Sequence, residues 1–239
     1  MTEIMRHRDA ETLATTVADR FIDRLASVQG SGRVPHVGLT GGTIANDLYR
    51  AIAASPHRAD VEWTSVEFWW GDERFVERNS PDRNAVQARE AMLTDLGVRE
   101  SRVHEMPAAE DGSLEAGARA YGDELREYGS GSFDLLLLGL GPDGHIASLF
   151  PGYPQLEADN TIAVGVEGSP KPPPKRISLT FGALNRSRAV WFLVAGAGKA
   201  DAVVRSLSSE TTVGESPASS VKGEVETVWH LDEAAAELL

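Results

Sequence analysis

The feature that most constrains this chain is the run Phe133–Leu140, which carries four consecutive leucines, Leu135–Leu138. A strand with one face in water alternates apolar and polar residues; one with no polar alternate must be covered on both faces. That requirement selects an α/β class, a mostly parallel, doubly wound sheet with helices on both faces. The rest of the chain supplies matching pieces. Leu13, Val17, Phe21 and Leu25 recur at four-residue steps within Asp9–Ser27, the spacing of one helix face. Val34–Leu39 reads as a buried strand, followed by a glycine turn and a helical pattern through Ala54.

The alternation continues to the end. Val61–Trp70 reads as strand, Pro81–Leu96 and Leu114–Tyr128 as helices, Ala189–Ala195 as strand, Lys199–Leu207 as helix, Val225–Leu231 as strand and Asp232–Leu239 as a terminal helix. Ser169–Lys175 holds four prolines in seven residues and is a stiff loop. Strand and helix alternate on both sides of it, with no repeat and no shift of composition, so residues 1–239 are expected to form a single domain. Trp63, Trp69, Trp70, Trp191 and Trp229 all fall in strand-like segments and are expected in the core.

Charge and composition then narrow the function. The net charge of −13 opposes nonspecific attraction to nucleic acid or anionic lipid, so no nucleic-acid partner is expected. The apolar runs fall far short of the roughly 20 residues that span a bilayer. The first ten residues lack the apolar stretch of a signal peptide, which makes no membrane partner and a cytoplasmic location the expectation. With no cysteine there is no disulfide, thiolate nucleophile or cysteine-ligated metal. The six histidines are scattered without i,i+4 spacing around an acid, and no metal is expected.

In open α/β sheets ligands gather beyond the carboxyl ends of the strands, so the turns after strands carry the chemistry. Gly41–Gly42–Thr43 precedes a helix: its glycines either make a tight turn or let backbone N–H groups and the helix dipole receive a phosphate. Asp72, Glu73 and Arg74 end the second strand, with Asn84 ten residues on; such a group is either a surface ion pair or a ligand contact. The third turn, Gly139–Pro151, follows the leucine strand. Its three glycines and proline impose an irregular backbone, and Asp143 and His145, flanking Gly144, are spaced to converge on one ligand. Gly196–Ala197–Gly198–Lys199 lacks the Walker spacing, but it places Lys199 at a helix start on the same edge, suited to a single phosphate that Arg176 would join.

Taken together these segments resemble the 6-phosphogluconolactonase family from roughly Val37 to the terminal strand. The stretch G-x-G-P-D-G-H-x-A-S-L-F-P at Gly139–Pro151 carries the likeness, with the Thr43 turn, Gly71–Arg74, Arg176–Thr180 and Gly196–Ala200 in family order. Ala45 stands where the family often has proline, and Arg83 where a serine commonly precedes Asn84. The related glucosamine-6-phosphate deaminases share D-G-H but continue F-N-E-P and carry an aromatic residue at the place of Arg74. Here Phe150 replaces the deaminase acid, which with Arg74 favours a lactonase over a deaminase, while His145 on its glycine loop and the lack of a helix-turn-helix segment favour an enzyme over a noncatalytic sugar-phosphate sensor.

The resemblance implies cofactor-free hydrolysis of a small sugar-phosphate lactone, 6-phosphoglucono-1,5-lactone, by a monomer or weak homodimer. His145 would activate water, Asp143 would support His145 or only shape its loop, and Arg74 would steady the developing charge or grip the sugar acid. Gly41, Gly42, Thr43, Arg176 and Lys199 would hold the phosphate, and Asp72, Asn84 and Gly144 the rest of the substrate.

Overall fold

The computed structural model describes residues 2–239. Its centre is a six-stranded, wholly parallel sheet formed by β1 (Thr2–His7), β2 (His36–Leu39), β3 (Glu67–Trp70), β5 (Leu135–Gly139), β8 (Ala189–Val194) and β9 (Glu226–Asp232), in the order β1-β9-β8-β5-β2-β3. Leu135–Leu138 and all six residues of β8 are buried, so neither face of the middle of the sheet meets water, as the leucine run requires. All five tryptophans are buried. From β2 the chain proceeds outward to β3, whereas from β5 it proceeds the other way to β8. The sheet therefore reverses direction between β2 and β5, the place where open α/β sheets form a crevice.

Around the sheet lie α1 (Ala10–Gly30), α2 (Thr43–Ala54), α3 (Asn84–Ala88), α4 (Leu114–Tyr128), α5 (Phe181–Leu184) and α6 (Ala200–Leu207). Asp9 starts α1 by accepting the Thr12 N–H at 2.8 Å. The apolar stripe Leu13, Val17, Phe21 and Leu25 is fully buried. Helix α4 is tied to the sheet through Tyr121, whose hydroxyl accepts the N–H of Trp70 at 2.8 Å and donates to its carbonyl at 3.1 Å.

A second, three-stranded antiparallel sheet, not foreseen from the sequence, joins β4 (Asp72–Arg74), β7 (Arg176–Leu179) and β6 (Ala163–Val166). The proline-rich loop is the connection from β6 to β7. The short first strand β1 was also unforeseen. The Val61–Trp70 segment is strand only from Glu67. Before it a 3-10 turn, Trp63–Ser65, is held by Glu62, whose carboxylate accepts from the backbone and hydroxyl of Thr64. Within Pro81–Leu96 the α-helix lasts five residues and then widens into a π turn, Arg89–Leu93.

The expected helix at Asp232–Leu239 does not form. Strand β9 runs through Asp232, whose carboxylate accepts the N–H groups of Gly196 and Ala235 and bends the remaining residues into turns.

Candidate active site

The β2–α2 turn and the β5 loop flank the crevice between β2 and β5, and with β4, β7 and the β8–α6 turn they enclose a cavity of about 510 Å³. Its lining brings together Gly41, Gly42, Thr43, Asp72, Arg74, Asn84, His145, Arg176 and Lys199, drawn from six separate stretches of sequence. Asp143 and Gly144, also expected in the site, are not part of the cavity lining. Among the described residues no cluster of three His, Asp or Glu side chains is arranged to ligate a metal ion.

Each glycine-rich turn has a steric reason for its composition. A Cβ on Gly41 would lie 1.8 Å from Asn84 Oδ1, so only glycine lets the start of α3 approach this turn. Gly42, with φ 106°, precedes α2, and no side chain caps the helix. The first-turn N–H groups of α2 thus begin at the cavity wall with the positive end of the helix dipole. Ala45, the departure from the family's proline, is buried and outside the lining.

In the β5 loop, a Cβ on Gly141 would sit 2.0 Å from His145 Nδ1 and 2.4 Å from Asp143 Oδ1. Gly144, at φ 89°, turns the chain against Ser216. Ala147, at φ 47°, holds a conformation that costs a non-glycine residue energy, at a position that lines the cavity.

Asp143 stands behind His145, its Oδ1 2.5 Å from Nδ1. Burial opposes ionisation of Asp143, but the hydrogen bond and charge of His145 outweigh it and hold the carboxyl down at about 2. An ionised Asp143 accepts from Nδ1–H, which leaves Nε2 as the ring nitrogen with a free lone pair. Phe150 packs beside the imidazole with ring centroids 4.6 Å apart, so an apolar ring flanks His145.

The opposite wall is built on β4. Alternation along this strand turns Asp72 and Arg74 to the cavity and Glu73 into the protein. Asp72 Oδ2 accepts from Ser148 Oγ at 2.6 Å and lies 4.0 Å from Arg176 Nη1. Arg74 Nη1 donates to Asn84 Oδ1 at 2.5 Å and to the Asp82 carbonyl at 2.7 Å, while Asn84 Nδ2 donates to the Asp72 carbonyl at 2.9 Å. The antiparallel register sets Arg74 opposite Arg176, two guanidinium groups on one rung.

Arg176 donates from Nη2 to the carbonyls of Lys171 and Pro172 and from Nε to that of Pro173. It thereby moors the proline-rich loop, which delivers Lys171 to the cavity. Lys171 was missed in the sequence because a stiff loop does not reveal which strands it joins. Lys199 donates to the Leu140 carbonyl at 2.5 Å; burial first, then the nearby Lys171 charge, lowers its pKa. The helix start expected at Lys199 is a 3-10 turn, Ala197–Lys199, leading into α6. Four cations, Arg74, Lys171, Arg176 and Lys199, thus face three carboxylates, Asp47, Asp72 and Asp232, in a chain that is strongly acidic as a whole.

The profile of a family described as glucosamine-6-phosphate isomerases/6-phosphogluconolactonase matches residues 8–229. A 6-phosphogluconolactonase of Streptomyces coelicolor is 43% identical over 99% of this chain and 94% of the relative, and one of Mycobacterium tuberculosis is 38% identical over 97% and 96%. Among solved structures, 6-phosphogluconolactonase from Thermotoga maritima superposes with a TM-score of 0.86 at 26% identity, covering 97% of this chain and all of that one. Matched this closely over nearly its whole length, the chain belongs to the glucosamine-6-phosphate isomerase/6-phosphogluconolactonase family.

Proposed function

We propose that the cavity hydrolyses 6-phosphoglucono-1,5-lactone to 6-phosphogluconate, the second step of the oxidative pentose phosphate pathway, without a cofactor. The observation that carries this reading is His145, backed by Asp143, lining the same cavity as four cationic side chains. His145 Nε2 takes a proton from water as the water oxygen bonds to C1; the C1–ring oxygen bond then breaks, and the ring oxygen receives that proton. Asp143 holds the imidazole in the required tautomer. Arg74 steadies the negative charge that develops on the former carbonyl oxygen. Lys199, Lys171, Arg176 and the Gly41–Thr43 turn hold the 6-phosphate, so that binding remote from C1 orients the reacting carbonyl.

Proton release from freshly generated lactone, corrected for spontaneous opening, tests substrate and residue together. His145→Ala is expected to lower kcat by about 10²–10⁴. Near-normal turnover would remove His145 from this role, and release of ammonia from glucosamine 6-phosphate would replace the lactonase reading with that of a deaminase.

A further inference from the structure

We propose that Glu73 and Arg83, neither of which reaches the cavity, are positioning residues that hold Arg74 and Asn84 in place for the reaction. This rests on the lactonase reading and extends it to a buried layer behind the site. Glu73 is 1% exposed and points away from the cavity. Its Oε1 accepts the backbone N–H of Arg74 at 2.8 Å and of Asn84 at 2.7 Å, and its Oε2 accepts the N–H of Ala85 at 2.8 Å. One carboxylate thus ties the backbone of both cavity residues together across the ten positions that separate them. The link between Arg74 Nη1 and Asn84 Oδ1 depends on that alignment.

Arg83 occupies the place where the sequence departs from the family's serine, and it is fully buried. Its Nε lies 3.7 Å from Glu73 Oε2, and its Nη2 donates to the Met106 carbonyl at 2.6 Å and lies 3.5 Å from Glu105 Oε2. Glu105 is in turn paired with Arg89. Nε and Nη1 of Arg83 are buried with no hydrogen-bond partner among the described residues, so the charge serves Glu73 and Glu105 rather than a dense donor network. An isolated buried carboxylate would protonate, and the oxygen that takes the proton becomes a hydroxyl, a weaker acceptor for the N–H it faces.

Burial raises Glu73 to about 7, against the opposing Arg83 charge and the three amide hydrogen bonds. The other groups within its field are Arg74 on its own strand, Arg176 on β7 and Tyr121 on α4; Glu105 and Asp111 act on it through Arg83. Around neutral pH the state of Glu73 therefore decides whether Arg74 and Asn84 are held, and Arg83 sets the pH at which that happens.

The test is kcat and KM on the lactone from pH 5.5 to 8.5 for wild type, Arg83→Met, Arg83→Lys and Glu73→Gln, with thermal melts of each. Arg83→Met is expected to move the acid limb of kcat/KM upward by about 1 pH unit or more, since loss of a neighbouring opposite charge shifts a carboxyl by that order. Arg83→Lys, which keeps the charge, is expected to retain the wild-type limb. Glu73→Gln keeps the shape but turns an amide donor toward an N–H. It is expected to cost roughly 10-fold or more in kcat/KM at every pH, mostly in kcat, with a melt close to wild type.

A folded Arg83→Met with an unmoved limb, or a Glu73→Gln within threefold of wild type, overturns the proposal. If Arg83→Met does not fold, Glu73→Gln decides alone, because it leaves Arg83 its other carboxylate, Glu105. An inactive wild type would defeat the lactonase reading itself, whereas an active wild type with unaltered variants defeats only this one.

Discussion

At the scale of single residues, the site is governed by what is kept small. Gly141 has an ordinary backbone conformation, and what excludes a side chain is the His145–Asp143 pair lying across its Cα. Gly141→Ala is therefore expected to push the imidazole aside by about an ångström and lower kcat by around 10²-fold, the order that such misplacement costs. Because no core residue is touched, the melt should stay near wild type; steady-state kinetics alongside calorimetry checks both halves. The lysines are expected to behave differently, since the phosphate contact proposed for them lies far from the reacting carbonyl. Lys171→Ala and Lys199→Ala are each expected to raise KM about 10-fold with kcat nearly unchanged, and an equal loss in kcat would place them nearer the chemistry than the phosphate.

At the scale of elements, what could be read from the sequence divides by where an element's partner lies. Leu135–Leu138, the stripe on α1 and the Gly41–Thr43 turn announce themselves locally, through an apolar run, a period and a glycine pair, and all three form as expected. The sequence of β1, Thr2–His7, contains no apolar run, because its outer side is open; it becomes a strand only by pairing with β9 at the other end of the chain. Strand β4 is three residues long and pairs with β7, about a hundred residues later, so neither propensity nor pattern exposes the rung that sets Arg74 beside Arg176. Of the site, the glycine turns and His145 were therefore legible, and Lys171 and the buried role of Arg83 were not.

The β1–β9 pairing has a titratable consequence. It brings His7 Nε2 within 3.2 Å of His230 Nδ1, and His230 Nε2 is buried without a partner among the described residues. Burial, then the charge of Arg20, lowers both, His230 to about 3 from 6.5. A histidine lowered in the folded state contributes stability that is present above 6.5 and lost as pH falls toward its folded pKa. Each such group therefore contributes a loss of stability below pH 6.5, with a slope approaching about 1.4 kcal/mol per pH unit. Asp143, lowered from 3.8, adds its own loss only below about pH 4. Glu73, raised from 4.5 to about 7, takes up its proton in the folded state over the same range and opposes this slope. The His230 share is therefore read as the stability difference between wild type and His230→Leu in denaturant melts from pH 7 to 4.5, which should change with a slope of that sign.

At the scale of the whole molecule, the order β1-β9-β8-β5-β2-β3 sets two demands apart along one sheet. The crevice that binds must lie where the winding reverses, between β2 and β5, and there the carboxyl ends open onto turns of glycine and charge. The edges must instead be closed, because an unpaired strand offers its N–H and C=O groups to any other chain. On one side the edge falls to β1, a short and mostly exposed strand bearing Glu3 and Arg6: without it β9, whose residues Thr227–Leu231 are all buried, would become the edge, with His230 beneath it. The connection costs little locally, since Glu233 N–H donates back to the His7 carbonyl at 2.8 Å and Arg6 donates to the carbonyl of Leu239 at 3.0 Å, fastening both ends of the chain to each other. A chain beginning at Arg8 is expected to melt roughly 10 °C or more below the full chain, since several kcal/mol of strand pairing at about 2–4 °C per kcal/mol are lost in a molecule of this size. It should also aggregate on standing, through the newly exposed edge of β9. Calorimetry and light scattering at matched concentration measure the two effects, and an unchanged melt without aggregation would mean that β9 is closed by something other than β1.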